Sequence, residues 1–158
     1  MEHPKTVGDR TTLAVIAALY DSGYAVLMPF GEKTRYDLVT DDGCELRRIQ
    51  CKTGRLYKGA VVFSTCSNYA HHPNPKEKSR DYLGQIDAFA VYCPTTRGVY
   101  LVPIADVPTR RTGALRVDPP RNNQYRRIRP ASAYKIASVD VTPTAKLRAT
   151  AGESGSSA

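Results

Sequence analysis

No apolar run in this sequence approaches the roughly 18–20 residues that a membrane-spanning helix needs. The first eight residues are polar and lack the apolar stretch of a secretory signal. No two of the four cysteines, Cys44, Cys51, Cys66 and Cys93, show the C-x-x-C spacing of a zinc knuckle or redox pair. A zinc site can be drawn from Cys66, His71, His72 and Cys93, but at looser spacing than such sites use. In a reducing cytosol the four are expected as thiols. There is no internal repeat.

What is present is 158 residues, of which 41% are hydrophobic, enough for one domain with a modest core. Val, Ile, Tyr and Thr are common in the middle third, so strands are expected. The formal net charge is +8 and the pI about 9.5. A basic balance of that size favours a polyanionic partner, nucleic acid before an anionic membrane surface. The expected setting is cytoplasmic and nucleoid-associated.

Residues 1–8 read as a polar lead. A helix is predicted over about 8–22, with Leu13, Ile16, Ala17 and Leu19 or Tyr20 on its apolar face and Gly23 as its terminator. A strand follows over 24–28. Asp42-Gly43 is a hairpin signal, joining arms over 36–40 and 45–52. After a turn over 53–58, a third strand is expected over 59–65. Residues 67–80, with His71 and His72, read as a long polar loop. A short helix over 81–86 and strands over 88–93 and 99–104 complete the pattern. Residues 9–140 form the domain, with a basic segment over 110–129. Residues 141–158 read as a disordered tail. The order of elements implies an α/β fold, a mixed β-sheet flanked by helices.

The hairpin can be read for geometry. A symmetric two-residue turn at Asp42-Gly43 sets Asp37 opposite Arg48 and Arg35 opposite Gln50. Strand alternation puts Arg48, Gln50 and Lys52 on one face, with Asp37 on the same side. One reading is a hard-cation site. Asp37 supplies a charged ligand, while the Gln50 amide and the Cys51 backbone carbonyl supply neutral oxygens. Lys52 then holds a water or stabilises charge on a phosphate. The other reading is a solvated charged face on which Asp37 pairs with Arg48.

Two stretches carry a resemblance. Gly31-Glu32-Lys33-Thr34-Arg35-Tyr36-Asp37-Leu38-Val39 is followed by Arg48-Ile49-Gln50-Cys51-Lys52-Thr53-Gly54. Together they resemble the core motif of group I intron-associated PD-(D/E)XK homing endonucleases, written Tyr-Asp-Leu then Gln-x-Lys. Residues 87–92 and 99–104 resemble later strands of that family, and the likeness spans roughly 8–134. It implies a restriction-endonuclease-like core. Asp37, Gln50 and Lys52 would be the catalytic set and Asp37, Gln50 and the Cys51 carbonyl the metal ligands. The implied activity is magnesium-dependent DNA hydrolysis, with manganese as a substitute, by a homodimer or homotetramer.

The family commonly carries a glutamate in its first helix, and here that position falls on Thr12. Asp9, one turn earlier, is a candidate second acid; its alternative role is to cap or charge the helix N-terminus. Glu32 is the other candidate.

Arg35, Arg55, Lys58, Arg121, Asn123, Gln124, Arg126 and Arg127 are the candidate DNA contacts. Arginine reads guanine and Asn or Gln reads adenine in the major groove, although arginines contact phosphate more often. The substrate is expected to be double-stranded or branched DNA. Two rivals stand beside a homing-type enzyme. One is a Holliday junction resolvase-like nuclease; the other is a non-catalytic DNA-binding protein derived from a nuclease. An RNA-binding module ranks lower, since no stacking platform of paired aromatics is evident.

Overall fold

The structure is a computed structural model that describes residues 1–68, 79–108, 111–122 and 128–141. It opens with helix α1 (Pro4–Asp21). The helix starts earlier than its apolar spacing predicts. Pro4 stands at its first position, where a missing N–H costs nothing, and the His3 side chain caps the Lys5 N–H. The end is as expected. Gly23 has φ +90° and donates to the Tyr20 carbonyl, and Tyr24 donates to that of Leu19. This is the paired termination that glycine allows.

Eleven strands follow among the described residues: β1 (Ala25–Leu27), β2 (Leu38–Asp41), β3 (Leu46–Thr53), β4 (Arg55–Tyr57), β5 (Ala60–Ser64), β6 (Ser67–Asn68), β7 (Ser79–Arg80), β8 (Ala88–Cys93), β9 (Gly98–Pro103), β10 (Thr112–Arg116) and β11 (Lys135–Ser138). Six of them form one mixed sheet in the order β1-β2-β3-β8-β9-β11. Only the central β3–β8 pair is parallel. A three-stranded sheet, β10-β5-β4, forms a second layer, and β6 pairs with β7.

Strand β8 is buried at all six positions, as a central strand covered on both faces must be. Ala88, Ala90 and Tyr92 face α1 through a core with Leu38, Ile49 and Cys51. Phe89, Val91 and Cys93 face Val61, Phe63 and Leu115 of the second sheet. The mixed sheet therefore carries the helix on one face and the second sheet on the other. The second sheet is legible only once β10 is found inside the basic segment.

The helix also turns a different stripe inward from the one its largest side chains suggest. Thr11, Ala14, Val15, Ala18 and Leu19 are buried, while Leu13, Ala17 and Tyr20 are exposed. Ala14 and Ala18 let the backbone approach the sheet, and Val15 and Leu19 each contribute about 1.5–3 kcal/mol by burial. The short helix expected over 81–86 is a turn. Gly84, at φ +72°, breaks it after Tyr82 has accepted bonds from Gln85 and Ile86. The turn expected over 53–58 contains β4. Lys58 and Gly59, at φ 46° and 74°, close a tight hairpin into β5.

Candidate functional site

The β2–β3 connection is longer than a two-residue turn. Asp42 Oδ1 accepts from the Cys44 and Glu45 N–H groups, and Asp41 Oδ1 accepts from Gly43. The two aspartates thus build a loop around Gly43 and shift the ladder. Val39, not Asp37, stands opposite Arg48. A shift of two residues preserves side-chain parity, so the expected facing of Gln50 and Lys52 survives it. The Asp37–Arg48 pair does not exist. Arg48 instead binds Asp87, with backbone N–H to Oδ2 at 2.7 Å and guanidinium to Oδ1 at 3.1 Å.

Strand β2 ends its pairing at Leu38, and the chain before it diverges from β3. The Tyr36 carbonyl accepts from the Thr34 hydroxyl at 3.0 Å, and the Asp37 N–H donates to the Ile49 carbonyl at 2.9 Å. The Asp37 carboxylate then closes the gap, its Oδ2 accepting from the Cys51 N–H at 2.8 Å. Within a strand, the N–H and C=O of one residue point to the same edge. The Cys51 carbonyl therefore points into the same gap, where the Gln50 amide nitrogen lies 3.5 Å from it. The Asp37 carboxylate, the Cys51 carbonyl and the Gln50 amide thus lie beside one another where two strands part. Burial raises the Asp37 carboxyl above the usual range, opposed by the Cys51 N–H and the Lys52 ammonium.

Lys52 leaves the same strand on the Gln50 side. Its Nζ donates to the Cys66 carbonyl at 3.1 Å and to the Tyr82 hydroxyl at 3.2 Å. Tyr82 is buried, and Arg35 lies 4.3 Å from its ring centroid. Arg35 also donates to Gln85 Oε1, the Ser67 hydroxyl and the Asp81 carbonyl. It is bound into the protein wall rather than extended as a phosphate clamp. Sequence reasoning missed Tyr82, because nothing local marks a tyrosine that meets Lys52 only through the fold.

Helix α1 approaches from the opposite face. Thr11 and Thr53 share a hydroxyl hydrogen bond of 2.6 Å. Burial and the Asp37 charge push the Cys51 thiol up, against a hydrogen bond from Thr12. The Thr12 hydroxyl also donates to the Gly8 carbonyl at 3.2 Å, one turn back along the helix. Asp9 is exposed one turn earlier, and it lies outside the first turn, so it neither caps nor charges the helix start. Glu32 is exposed in the loop before β2.

The oxygen donors suit a hard divalent ion that keeps several waters, with a single firmly placed carboxylate. Among the described residues no group of three or more His, Cys, Asp or Glu gathers. Cys93 is buried in the core and Cys66 is partly exposed, while His71 and His72 lie outside the described residues.

Of the candidate DNA contacts, Arg55 and Lys58 stand exposed on the β4–β5 hairpin, on either side of Tyr57. Arg121 is exposed beyond β10. Asn123, Gln124, Arg126 and Arg127 lie outside the described residues, as do 142–158 of the expected tail.

Comparison with known proteins gives three findings. No curated protein matches. A solved bacterial homing endonuclease, I-Ssp6803I, shares the fold at a TM-score of 0.64 with 21% identity, over 85% of this chain and 89% of that one. The family model described as PD-(D/E)XK endonuclease matches residues 2–137. With that match spanning most of its length, the chain belongs to the PD-(D/E)XK endonuclease family.

Proposed function

We propose that this protein is a magnesium-dependent DNA endonuclease of the homing type, hydrolysing phosphodiester bonds. The observation that carries the reading is the parting of β2 from β3. Beside that gap lie the Asp37 carboxylate, bonded to the Cys51 N–H, and the Gln50 amide, 3.5 Å from the Cys51 carbonyl, with Lys52 next along the strand. Those three oxygens would hold the ion, the Gln50 amide turning its oxygen inward; amide orientation follows the local hydrogen bonds. Manganese would substitute, having similar oxygen preferences.

When bound, the ion supplies Lewis-acid stabilisation of charge developing on the scissile phosphate. The chain's own groups do the rest. Asp37, anchored through Oδ2 to the Cys51 N–H, would offer its other oxygen to the ion. Lys52 offers positive charge and a hydrogen-bond donor to a phosphate oxygen or to the attacking water. Asp9 or Glu32 would add a second acid. Arg55 and Lys58 carry positive charge on the hairpin that leaves β3 directly, and Arg121 extends it. Asn123, Gln124, Arg126 and Arg127 are proposed to reach the bases or phosphates alongside. Arg35 shapes the wall of the site.

The exposed apolar side chains Leu13, Tyr20 and Phe30 offer surface for a second copy. A homodimer or homotetramer would suit cleavage of both strands. The setting would be the nucleoid-associated cytoplasm.

One observation favours a second reading. Thr12 occupies the helix position expected of an acid, so the site has one firmly placed carboxylate. A non-cutting DNA binder is consistent with that. The deciding experiment offers supercoiled plasmid, a four-way junction and a randomised-site DNA library to the protein with magnesium, manganese or EDTA, beside Lys52→Ala. Metal-dependent cutting lost in the variant supports the enzyme, and preference for the junction would make it resolvase-like. Salt-sensitive binding with no cutting of any substrate would establish the binder.

A further inference from the structure

We infer that Tyr82 is a positioning residue for Lys52, its hydroxyl holding the ammonium at the open end of β2 while Arg35 and Phe89 hold its ring. The inference rests on the proposed nuclease reading and adds a residue to it. A lysine ammonium has three N–H donors on a flexible four-carbon stem, so its direction depends on what its donors meet. Two partners are fixed here. The Cys66 carbonyl lies 3.1 Å from Nζ and is itself held by the Ser64 hydroxyl at 3.0 Å. The Tyr82 hydroxyl lies 3.2 Å from Nζ. The third N–H is then left for the substrate side.

Tyr82 is suited to the task because it cannot wander. Its side chain is 4% exposed, and its ring meets Phe89 edge-on with centroids 5.7 Å apart. Its carbonyl accepts from Gln85 and Ile86, which fixes the backbone. Arg35 sits 4.3 Å from the ring centroid while bonding Gln85, Ser67 and the Asp81 carbonyl around it. Lys52 Nζ is 4.9 Å from the same centroid, towards the hydroxyl end. One aromatic ring thus serves two cations and satisfies part of each by its π-face. The hydroxyl accepts from Lys52, so its own proton stays available to a phosphate oxygen nearby.

Tyr82→Phe isolates the hydroxyl, because the ring and its contacts with Arg35 and Phe89 remain. The test uses the full chain and two readouts. The first is the mobility of the Lys52 side chain at one fixed pH, followed through the relaxation of its carbon-13 Cε signal and assigned with Lys52→Arg. Without the hydroxyl the ammonium loses one of its two fixed partners, so Cε in the variant should relax as a freer, faster-moving group. The second is single-turnover DNA cleavage with magnesium. Tyr82→Phe should cut about tenfold more slowly at unchanged DNA affinity. A folded Tyr82→Phe protein whose Lys52 Cε relaxes as in the wild type overturns the inference, whatever its cutting rate. If the wild type cuts no DNA, the nuclease reading fails and the relaxation still decides the role of Tyr82.

Discussion

The Cys51 N–H donates to Asp37 Oδ2 at 2.8 Å, at the point where the β2 ladder has ceased to supply a backbone acceptor. A side chain has taken over a main-chain task, and the cost is a carboxylate held in a partly dry gap. Burial raises its pKa, the Cys51 N–H and Lys52 opposing. An acid whose folded pKa lies above its unfolded value binds protons more readily when folded. It stabilises the protein below its unfolded pKa, and that advantage is lost as pH rises through the folded pKa. Asp37→Asn keeps an oxygen for the Cys51 N–H and removes the buried charge. It should abolish metal-dependent cutting, by about 10²–10³-fold or more, while leaving the melting temperature at neutral pH equal or higher. Paired cleavage and thermal-melting measurements check both halves. Retained cutting would remove Asp37 from the mechanism.

The same raised pKa would set a proton against the proposed metal. Ligation needs the ionised carboxylate. Affinity for manganese should therefore begin to fall at a pH above that of an ordinary aspartate as the solution is acidified. Calorimetric titrations across pH should show this slope in the wild type and lose it in Asp37→Asn. An equal slope in both proteins would place the titrating ligand elsewhere, with Asp9 and Glu32 the next residues to change.

How much of this was legible follows from how local each signal is. The parity of Gln50 and Lys52 is fixed by strand alternation, so a two-residue change in the turn leaves it intact. The turn is longer than Asp42-Gly43 implies because Asp41 and Asp42 both fold their carboxylates onto the loop N–H groups. The inward face of α1 includes the expected Leu19 but not Leu13 or Tyr20, because the helix approaches the sheet through Ala14 and Ala18, which apolar bulk does not mark. Strand β4 carries Arg55-Leu56-Tyr57, all exposed on a sheet edge, and gives no periodic signal. The contacts of Lys52 with Cys66 and Tyr82 depend on how the crossover between β3 and β8 folds back, which no spacing in the sequence encodes.

Arg48 and Asp87 join the beginning of β3 to the entry of β8. Asp87 receives the Arg48 backbone N–H as well as its guanidinium, and Arg48 also binds the Gly84 carbonyl at 3.0 Å. Arg48 holds the Asp87 carboxyl below its usual range. A lowered acid stabilises the folded state above its unfolded pKa, and that contribution is lost as pH falls through the folded value. The pair is partly exposed, so Asp87→Asn should cost only about 1 kcal/mol at neutral pH. The deficit should vanish in strongly acidic solution. Denaturant melts at neutral and acid pH test this, and a deficit independent of pH would assign the effect to geometry rather than charge.

Gly54 follows the Lys52 strand directly and is buried between the two sheets. A Cβ there would lie 2.7 Å from Val61 Cγ1 and 2.9 Å from Val91 Cγ1. Both are fully buried core side chains, with little room to retreat. Gly54→Ala should destabilise by about 1–3 kcal/mol through overpacking. Because Gly54 donates to the Tyr92 carbonyl at 2.7 Å, relief would displace the end of β3 and move Lys52 with it. Cutting should then fall by more than the loss of folded protein explains. Activity per folded molecule, measured well below the melting temperature, distinguishes the two effects.

The hairpin between β4 and β5 offers the most direct test of the proposed DNA-facing surface. Arg55 and Lys58 flank the exposed Tyr57, their charged groups 5.8 and 5.3 Å from its ring. Neither contributes to a buried core, so Arg55→Ala with Lys58→Ala should leave stability within about 0.5 kcal/mol. If the net +8 charge is used in contacting about six to ten phosphates, binding should weaken by roughly 10³–10⁵-fold between about 50 and 200 mM salt. Each phosphate contact removed lowers the logarithmic salt slope by about one. The double variant should therefore flatten it by about two and weaken binding alike on all sequences. Fluorescence anisotropy over a salt series reads both. A slope unchanged by the double variant would turn the hairpin away from the backbone, leaving Arg121 and the residues beyond it to carry the phosphate contacts.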